Sequence, residues 1–327
     1  MSRTVAVTGA TGFIGRTLSA RLEQEGWRVR ALARRRGPIS HRQPASTEWI
    51  PGDLADEASL ERLVRGADAV VHCAGAVRGA TWADFAETNV AGLARLVDAV
   101  RRQAPAARFL LLSSLAAREP HLSFYAASKR EGEKVLQAHG EAMRWAALRP
   151  PAVYGPGDRE VLPLFRWMGR GIGPVLGGGR ARFSLVYVED LAAAVTTLVG
   201  GAFPVGRIFA LHDGRPGGYS WPEVFDTASR LTGRRIRPVR VPQALLAVAA
   251  RLNAALARCT GRSPMLTPGK VRELRHRDWV CDNADITRET SWTPNVSLEE
   301  GLRRTMGWGP GSAAGEPAQR GTWESHG

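Results

Sequence analysis

The sequence predicts an α/β fold: a doubly wound parallel sheet with a smaller, mostly helical C-terminal cap. Three observations carry this. Short apolar runs at residues 5–8, 29–33, 69–73, 109–112 and 145–148 alternate with amphipathic stretches near 13–25, 57–65, 82–103 and 125–139. Strands alternating with helices must pair in parallel, because each helix carries the chain back over the sheet. A glycine-rich segment follows the first run directly, and the texture changes after Pro150-Pro151.

The first strand runs into Thr8-Gly9-Ala10-Thr11-Gly12-Phe13-Ile14-Gly15, which opens the first helix. Gly9 permits a tight turn, Gly12 lets backbone approach a pyrophosphate with no Cβ in the way, and Gly15 lets the helix lie close to the sheet. A helix start presents unpaired N–H groups and the positive end of its dipole to phosphate, so Thr11, Phe13 and Ile14 join the glycines as expected cofactor contacts. The alternative is a glycine-rich turn without a ligand. The second strand ends at Ala33 and continues into Arg34-Arg35-Arg36. An NAD site usually has a carboxylate there for the ribose 2′-hydroxyl, whereas arginine binds a 2′-phosphate with charge-assisted bonds. The expectation is NADP rather than NAD, held by Arg34; the alternative is a solvated basic loop. After a third short strand comes Gly52-Asp53-Leu54. Asp53 there suits the adenine amino group, with the Leu54 backbone on the ring, and it suits a helix N-cap equally well.

Tyr125 and Lys129 are four residues apart on the helix after the fifth strand, so they share a face. A phenol titrates near pH 10, and a neighbouring ammonium lowers that value. The pair therefore reads as a proton donor and acceptor for hydride chemistry, with Lys129 also able to hold ribose hydroxyls. Ser114, at the end of the fifth strand, offers a hydroxyl to orient a substrate oxygen.

These residues, with Asp53, His72-Cys73-Ala74-Gly75, Asn89-Val90-Ala91-Gly92, Ser113-Ser114 and the segment from Arg149 to Gly157, resemble the extended short-chain dehydrogenase/reductases, also called the NAD-dependent epimerase/dehydratase family. The likeness runs over about residues 3–308, and residues 187–191 and 292–301 match later landmarks of that family. The resemblance implies a Rossmann domain over residues 1–155, with last strands drawn from about 183–211, and a substrate cap mainly over 156–308, interleaved with it. It implies Tyr125 as acid/base, Lys129 as its partner, Ser114 as the third catalytic residue, Ala74 lining the cofactor and Pro151 bordering the nicotinamide. Two departures matter. Only residues 115–124 separate Ser114 from Tyr125, and Phe183, beside Arg182, stands where sugar-nucleotide members place an arginine for a nucleotide phosphate. Both features resemble the branch of 3β-hydroxysteroid dehydrogenase-like and dihydroflavonol reductase-like proteins, which act on less polar alcohols and ketones.

Hydrophobic residues at 44% and charged residues at 23% exclude collagen, coiled coil and wholesale disorder. The net charge of +14 comes almost wholly from arginines scattered along the chain, so nucleic acid is not an expected partner. Cys73, Cys259 and Cys281 form no disulfide framework, and no second His or Cys stands at ligand spacing from His72, so no metal is expected. His72 reads as a packed residue; Asn89 could hold a water or pack a helix, and Gly177-Gly178-Gly179 is a lid or a hairpin turn. The apolar stretch from Leu245 to Leu256 reads more readily as core than as a membrane or substrate contact. With no leader and no run of 18 apolar residues, the expectation is a cytoplasmic protein with a small-molecule substrate and a disordered tail over 309–327; a homodimer is one open alternative for its assembly. The expected activity is NADP-dependent hydride transfer between a nicotinamide and a secondary alcohol or ketone. Its rivals are a cofactor-retaining epimerase or dehydratase, and a non-catalytic NAD(P)-binding sensor or assembly protein.

Overall fold

The computed structural model describes residues 2–34, 47–139, 142–177, 181–260, 264 and 266–309, with side chains at 243, 251 and 254–260 excepted. Arg35, Arg36, Gly178, Gly179, the Cys259 side chain and the tail from 310 lie outside them. The strands are β1 (Thr4–Thr8), β2 (Arg28–Ala33), β3 (Glu48–Pro51), β4 (Ala69–His72), β5 (Arg108–Leu112), β6 (Trp145–Arg149), β7 (Ala152–Tyr154), β8 (Ile172–Val175), β9 (Arg182–Phe183), β10 (Leu185–Tyr187), β11 (Arg207–Ala210), β12 (Arg237–Arg240) and β13 (Asp278–Trp279). The helices are α1 (Phe13–Gln24), α2 (Glu57–Val64), α3 (Trp82–Ala86), α4 (Gly92–Gln103), α5 (Phe124–Gln137), α6 (Leu162–Gly169), α7 (Val188–Gly200), α8 (Trp221–Thr232), α9 (Gln243–Thr260), α10 (Pro268–Arg275), α11 (Ala284–Thr290) and α12 (Leu298–Met306).

Seven strands form one parallel sheet in the order β11-β6-β5-β4-β1-β2-β3. The chain winds outward one way through β2 and β3, then the other way from β4, so the reversal falls between β1 and β4. Alternate strand residues feed two cores. Val5, Val7, Val71, Leu110 and Leu148 face the cluster with α1 and α7. Ala6, Val70, Phe109 and Leu111 face the opposite cluster with Leu60, Leu96 and Leu136 of α2, α4 and α5. Burying each such side chain stabilises the fold by about 1.5–3 kcal/mol, which is why both faces of every central strand read as continuous apolar runs.

Two expectations need correction. The helix expected over 82–103 is two helices joined by a π turn at Glu87–Ala91. The widened turn brings Asn89 inward: its Oδ1 accepts from Ala76 N–H at 2.8 Å, and its Nδ2 donates to Ala76 O at 3.0 Å and Ser128 Oγ at 2.8 Å. Of the residues near 183–211 expected to complete the sheet, only β11 does so, beside β6. Pro150 and Pro151 have no N–H to donate, so the chain leaves the sheet after β6 and β7 pairs with β10 as a separate ribbon. The C-terminal cap is mostly helical, as expected, and also holds two further short parallel pairs, β8–β12 and β9–β13. These surround a third core of Tyr154, Phe165, Tyr187, Trp221, Phe225 and Trp308.

Candidate active site

The reversal between β1 and β4 is where a doubly wound sheet opens a crevice at its carboxyl edge. Gly9 sits there at φ +72°, and a Cβ on it would lie 2.6 Å from Ala74 N. A Cβ on Gly15 would lie 2.2 Å from Gly9 O, so helix and turn touch backbone to backbone. Gly12 differs: its Cβ would meet only Gly9 O, at 3.2 Å, and its outer side is open. Gly12 is also the N-cap of α1 without any side-chain cap, leaving the first N–H groups of Phe13, Ile14 and Gly15 without a side-chain acceptor. Thr11 is exposed, and Phe13 and Ile14 are partly so. This open, uncapped cradle fits the pyrophosphate of a dinucleotide. Across it, Thr8 Oγ1 contacts His72 Nδ1 at 2.8 Å and accepts from Ala74 N–H at 3.3 Å, tying the ends of β1 and β4 together. Burial, and then the Lys129 charge, push His72 down to about 3, so the imidazole is neutral and structural.

Arg34 is exposed just past β2, and among the described residues that follow the strand no carboxylate stands there. Asp53 Oδ1 accepts from Ala55 N–H at 2.8 Å, while Asp56 caps α2 through Ser59 N–H. Asp53 is therefore not the N-cap. Leu54 packs where a Cβ on Gly92 would meet it at 2.9 Å, and Pro151 follows β6 at the sheet edge, with Pro150 O accepting from Leu115 N–H at 2.8 Å.

Ser114, Tyr125 and Lys129 gather beyond β5. Ser123 caps α5 by accepting from Ala126 N–H at 2.9 Å, which sets the first turn on which Tyr125 sits. One turn later Lys129 Nζ donates to Leu112 O at 2.9 Å, and a Cβ on Gly75 would lie 3.1 Å from Nζ. The ammonium thus reaches the loop behind the glycine turn. Burial lowers Lys129 to about 8, against the raising effects of Cys73 and Glu133. From the sequence, Tyr125 is expected to be lowered by Lys129. Instead burial raises the phenol above its ordinary value, and the opposing influences are the Ser114 hydroxyl and then Lys270. The physical reason is that the Lys129 ammonium is held by the Leu112 carbonyl, while another amine faces the ring.

That amine, like Glu273 and Glu133, is a residue that the sequence pattern did not single out. Lys270 Nζ lies 5.8 Å from the Tyr125 ring centroid and 2.9 Å from Glu273 Oε2. Buried Glu273 also accepts a hydrogen bond from Ser123, the cap of α5. Behind Lys129, fully buried Glu133 accepts from Ser113 Oγ at 2.6 Å and from Arg149 Nε and Nη2 at 2.8 and 2.6 Å. Glu133 was findable, since it continues the four-residue spacing of Tyr125 and Lys129. Between Tyr125 and α10 lies a cavity of about 340 Å³ lined by Val77, Phe85, Phe124, Pro264, Lys270 and Glu273, among others.

Residues 5–209 match the NAD-dependent epimerase/dehydratase family. The chain is 38% identical over 305 residues to a ceramide reductase of Caulobacter vibrioides, covering 93% of each chain. It is 29% identical to a 2-alkyl-3-oxoalkanoate reductase of Stenotrophomonas maltophilia, covering 92% of this chain and 97% of the relative. Among solved structures, dTDP-glucose 4,6-dehydratase of Streptomyces venezuelae with NAD bound has the same fold at a TM-score of 0.71 and 22% identity, covering 92% of this chain and 95% of that one. With its glycine turn, its sheet order and these relatives, the chain belongs to the NAD-dependent epimerase/dehydratase family of NAD(P)-binding Rossmann enzymes.

Proposed function

We propose that this enzyme is an NADPH-linked reductase of a ketone carried on an apolar molecule, with Tyr125 moving the proton. The observation that carries the reading is the gathering of Ser114, Tyr125 and Lys129 between the glycine turn and a cavity that has Val77, Phe85, Phe124 and Pro264 among its walls beside Lys270 and Glu273. The bound dinucleotide supplies the hydride. The turn from Gly9 to Gly15, with Thr11, Phe13 and Ile14, would hold its pyrophosphate. Asp53 and Leu54 would hold its adenine, Arg34 its 2′-phosphate, Ala74 and Pro151 its middle and nicotinamide ends, and Lys129 its ribose hydroxyls. Ser114 orients the substrate oxygen, and Tyr125 gives it a proton as negative charge develops there. Arg182 is spent on the carbonyls of Gly217 and Gly218, and Phe183 packs on Trp221, which favours a substrate without a nucleotide phosphate. The names of the two relatives point the same way, the second specifying a ketone on an alkyl chain.

The test is NADPH consumption with a panel of long-chain 3-oxo compounds beside UDP-glucose. Turnover of the former supports the reading; epimerisation of the latter without net cofactor use overturns it. Arg34→Ala is expected to weaken NADPH binding about 10- to 100-fold and leave NADH unchanged. Equal affinity of the unaltered enzyme for the two cofactors would refute the assignment of Arg34. Cofactor affinity is also expected to fall as pH rises through about 8, where Lys129 loses its charge. Stability responds in the opposite sense. Between about 8 and 10.5 the unfolded chain holds the proton that folded Lys129 has lost, so this group's contribution rises with pH. Titration calorimetry and urea unfolding across that range separate the two effects.

A further inference from the structure

We propose that the outer face of α9, with β12 beside it in the chain, docks on an anionic phospholipid membrane surface. Leu245, Val248 and Leu252 stand at helical spacing on one face and are 60%, 52% and 65% exposed. Leu246, Ala250 and Asn253 lie on the opposite side: Ala250 is fully buried, and Asn253 Nδ2 donates to Leu266 O at 3.1 Å. At residues 245, 248 and 252 the helix therefore turns large apolar side chains outward, where a core-packing helix carries polar ones. The stretch that reads as core in sequence is, at these three positions, surface.

Charge selects the partner. From residue 227 to 272 the chain carries ten Lys and Arg and not one Asp or Glu, so ten of the fourteen net positive charges fall in this one segment. Arg234, Arg235, Arg237 and Arg240 are exposed on and before β12, with Val239 exposed among them. β12 then passes through Val241-Pro242 into α9, where Leu246 N–H donates to Pro242 O. An apolar helix face flanked by arginines without carboxylates matches acyl chains beneath anionic headgroups. A second copy of this chain fits poorly, because a two-fold contact would set the same cations against each other. Nucleic acid would use the arginines and leave the three aliphatic side chains in water. Behind α9 lies α10, whose Lys270 and Glu273 line the cavity at Tyr125, so the docked face is one helix away from the candidate active site. The inference stands on the surface alone and does not require the activity proposed above.

The experiment is flotation of the full chain with phosphatidylcholine vesicles, with and without phosphatidylglycerol. We expect binding to the anionic vesicles, little to the neutral ones, and loss as salt rises. Leu245→Ser/Val248→Ser/Leu252→Ser and, separately, Arg237→Gln/Arg240→Gln should each lower partitioning by about tenfold or more, with unfolding midpoints unchanged. Absence of binding to anionic vesicles at low salt overturns the proposal, as does binding unaffected by the triple substitution. A fall in oligomeric state caused by the triple substitution overturns it too, in favour of a self-association face, and salt-sensitive binding to duplex DNA without vesicle binding does so in favour of nucleic acid. Loss of vesicle binding with reductase activity intact would leave the reading of the active site standing, so the two can fail independently.

Discussion

Tyr125→Phe is expected to lower turnover by about 10²- to 10⁴-fold, the range associated with a positioned proton donor. NADPH affinity should change by no more than about twofold, because the lost hydroxyl lies on the cavity side and the glycine turn is untouched. The phenol is half-buried, and desolvation raises it above its ordinary value, so near neutral pH it is protonated and suited to donate. That state fits reduction of a ketone better than proton abstraction from an alcohol. The reverse reaction should therefore become faster as pH rises, until loss of charge on Lys129 near pH 8 weakens cofactor binding. Steady-state rates in both directions, with cofactor binding measured separately, check this. Unchanged turnover in Tyr125→Phe would remove the phenol from the chemistry and favour a sensor or scaffold role.

Glu133→Ala should have the largest effect on stability, with a loss of about 3–5 kcal/mol. Its side chain is wholly buried and meets Ser113 and Arg149, with Arg130 at 3.2 Å. Removing the carboxylate strands the Arg149 guanidinium, only 18% exposed, and leaves Ser113 without its acceptor. Glu133→Gln keeps an acceptor for both groups and should lose less. Glu133 also raises Lys129, so its removal should move the upper pH limit of cofactor binding below about 8. Urea unfolding curves report the first effect and calorimetry across pH reports the second. Equal unfolding midpoints for Glu133→Ala and the unaltered chain would show that the network contributes little.

The alternation of strands and helices and the glycine turn were legible because each rests on local pattern. Residues such as Val5, Val7, Val70 and Leu110 must be apolar on both faces to sit in a covered sheet, and Gly9 and Gly15 must be glycine where backbones touch. The shared face of Tyr125 and Lys129 follows from spacing alone. What stands opposite them does not. Lys270 and Glu273 reach Tyr125 from a helix far along the chain, and only tertiary packing brings them there. The π turn at Asn89 was hidden because its residues have no helix-breaking character; the bonds to Ala76 and Ser128 widen it. The cap strands were hidden by brevity, since Arg182–Phe183 and Asp278–Trp279 are too short to show alternation. The charge surplus reads as scattered from the cations alone, because arginines occur throughout the chain; the telling feature is the absence of Asp and Glu from residues 227–272 around α9.

Helix α10 is bolted to the base of α5. Glu273 takes the hydroxyl of Ser123, Arg272 Nε donates to Leu122 O at 2.7 Å, and a Cβ on Gly269 would lie 2.9 Å from Ser123 Cβ. For anyone retargeting this enzyme, the segment shaping the pocket and the segment carrying Tyr125 are a single mechanical part. Chimeras that import residues 264–275 from a relative without the matching 120–125 would tilt the phenol out of line, so selectivity here has to be exchanged as a two-piece cassette.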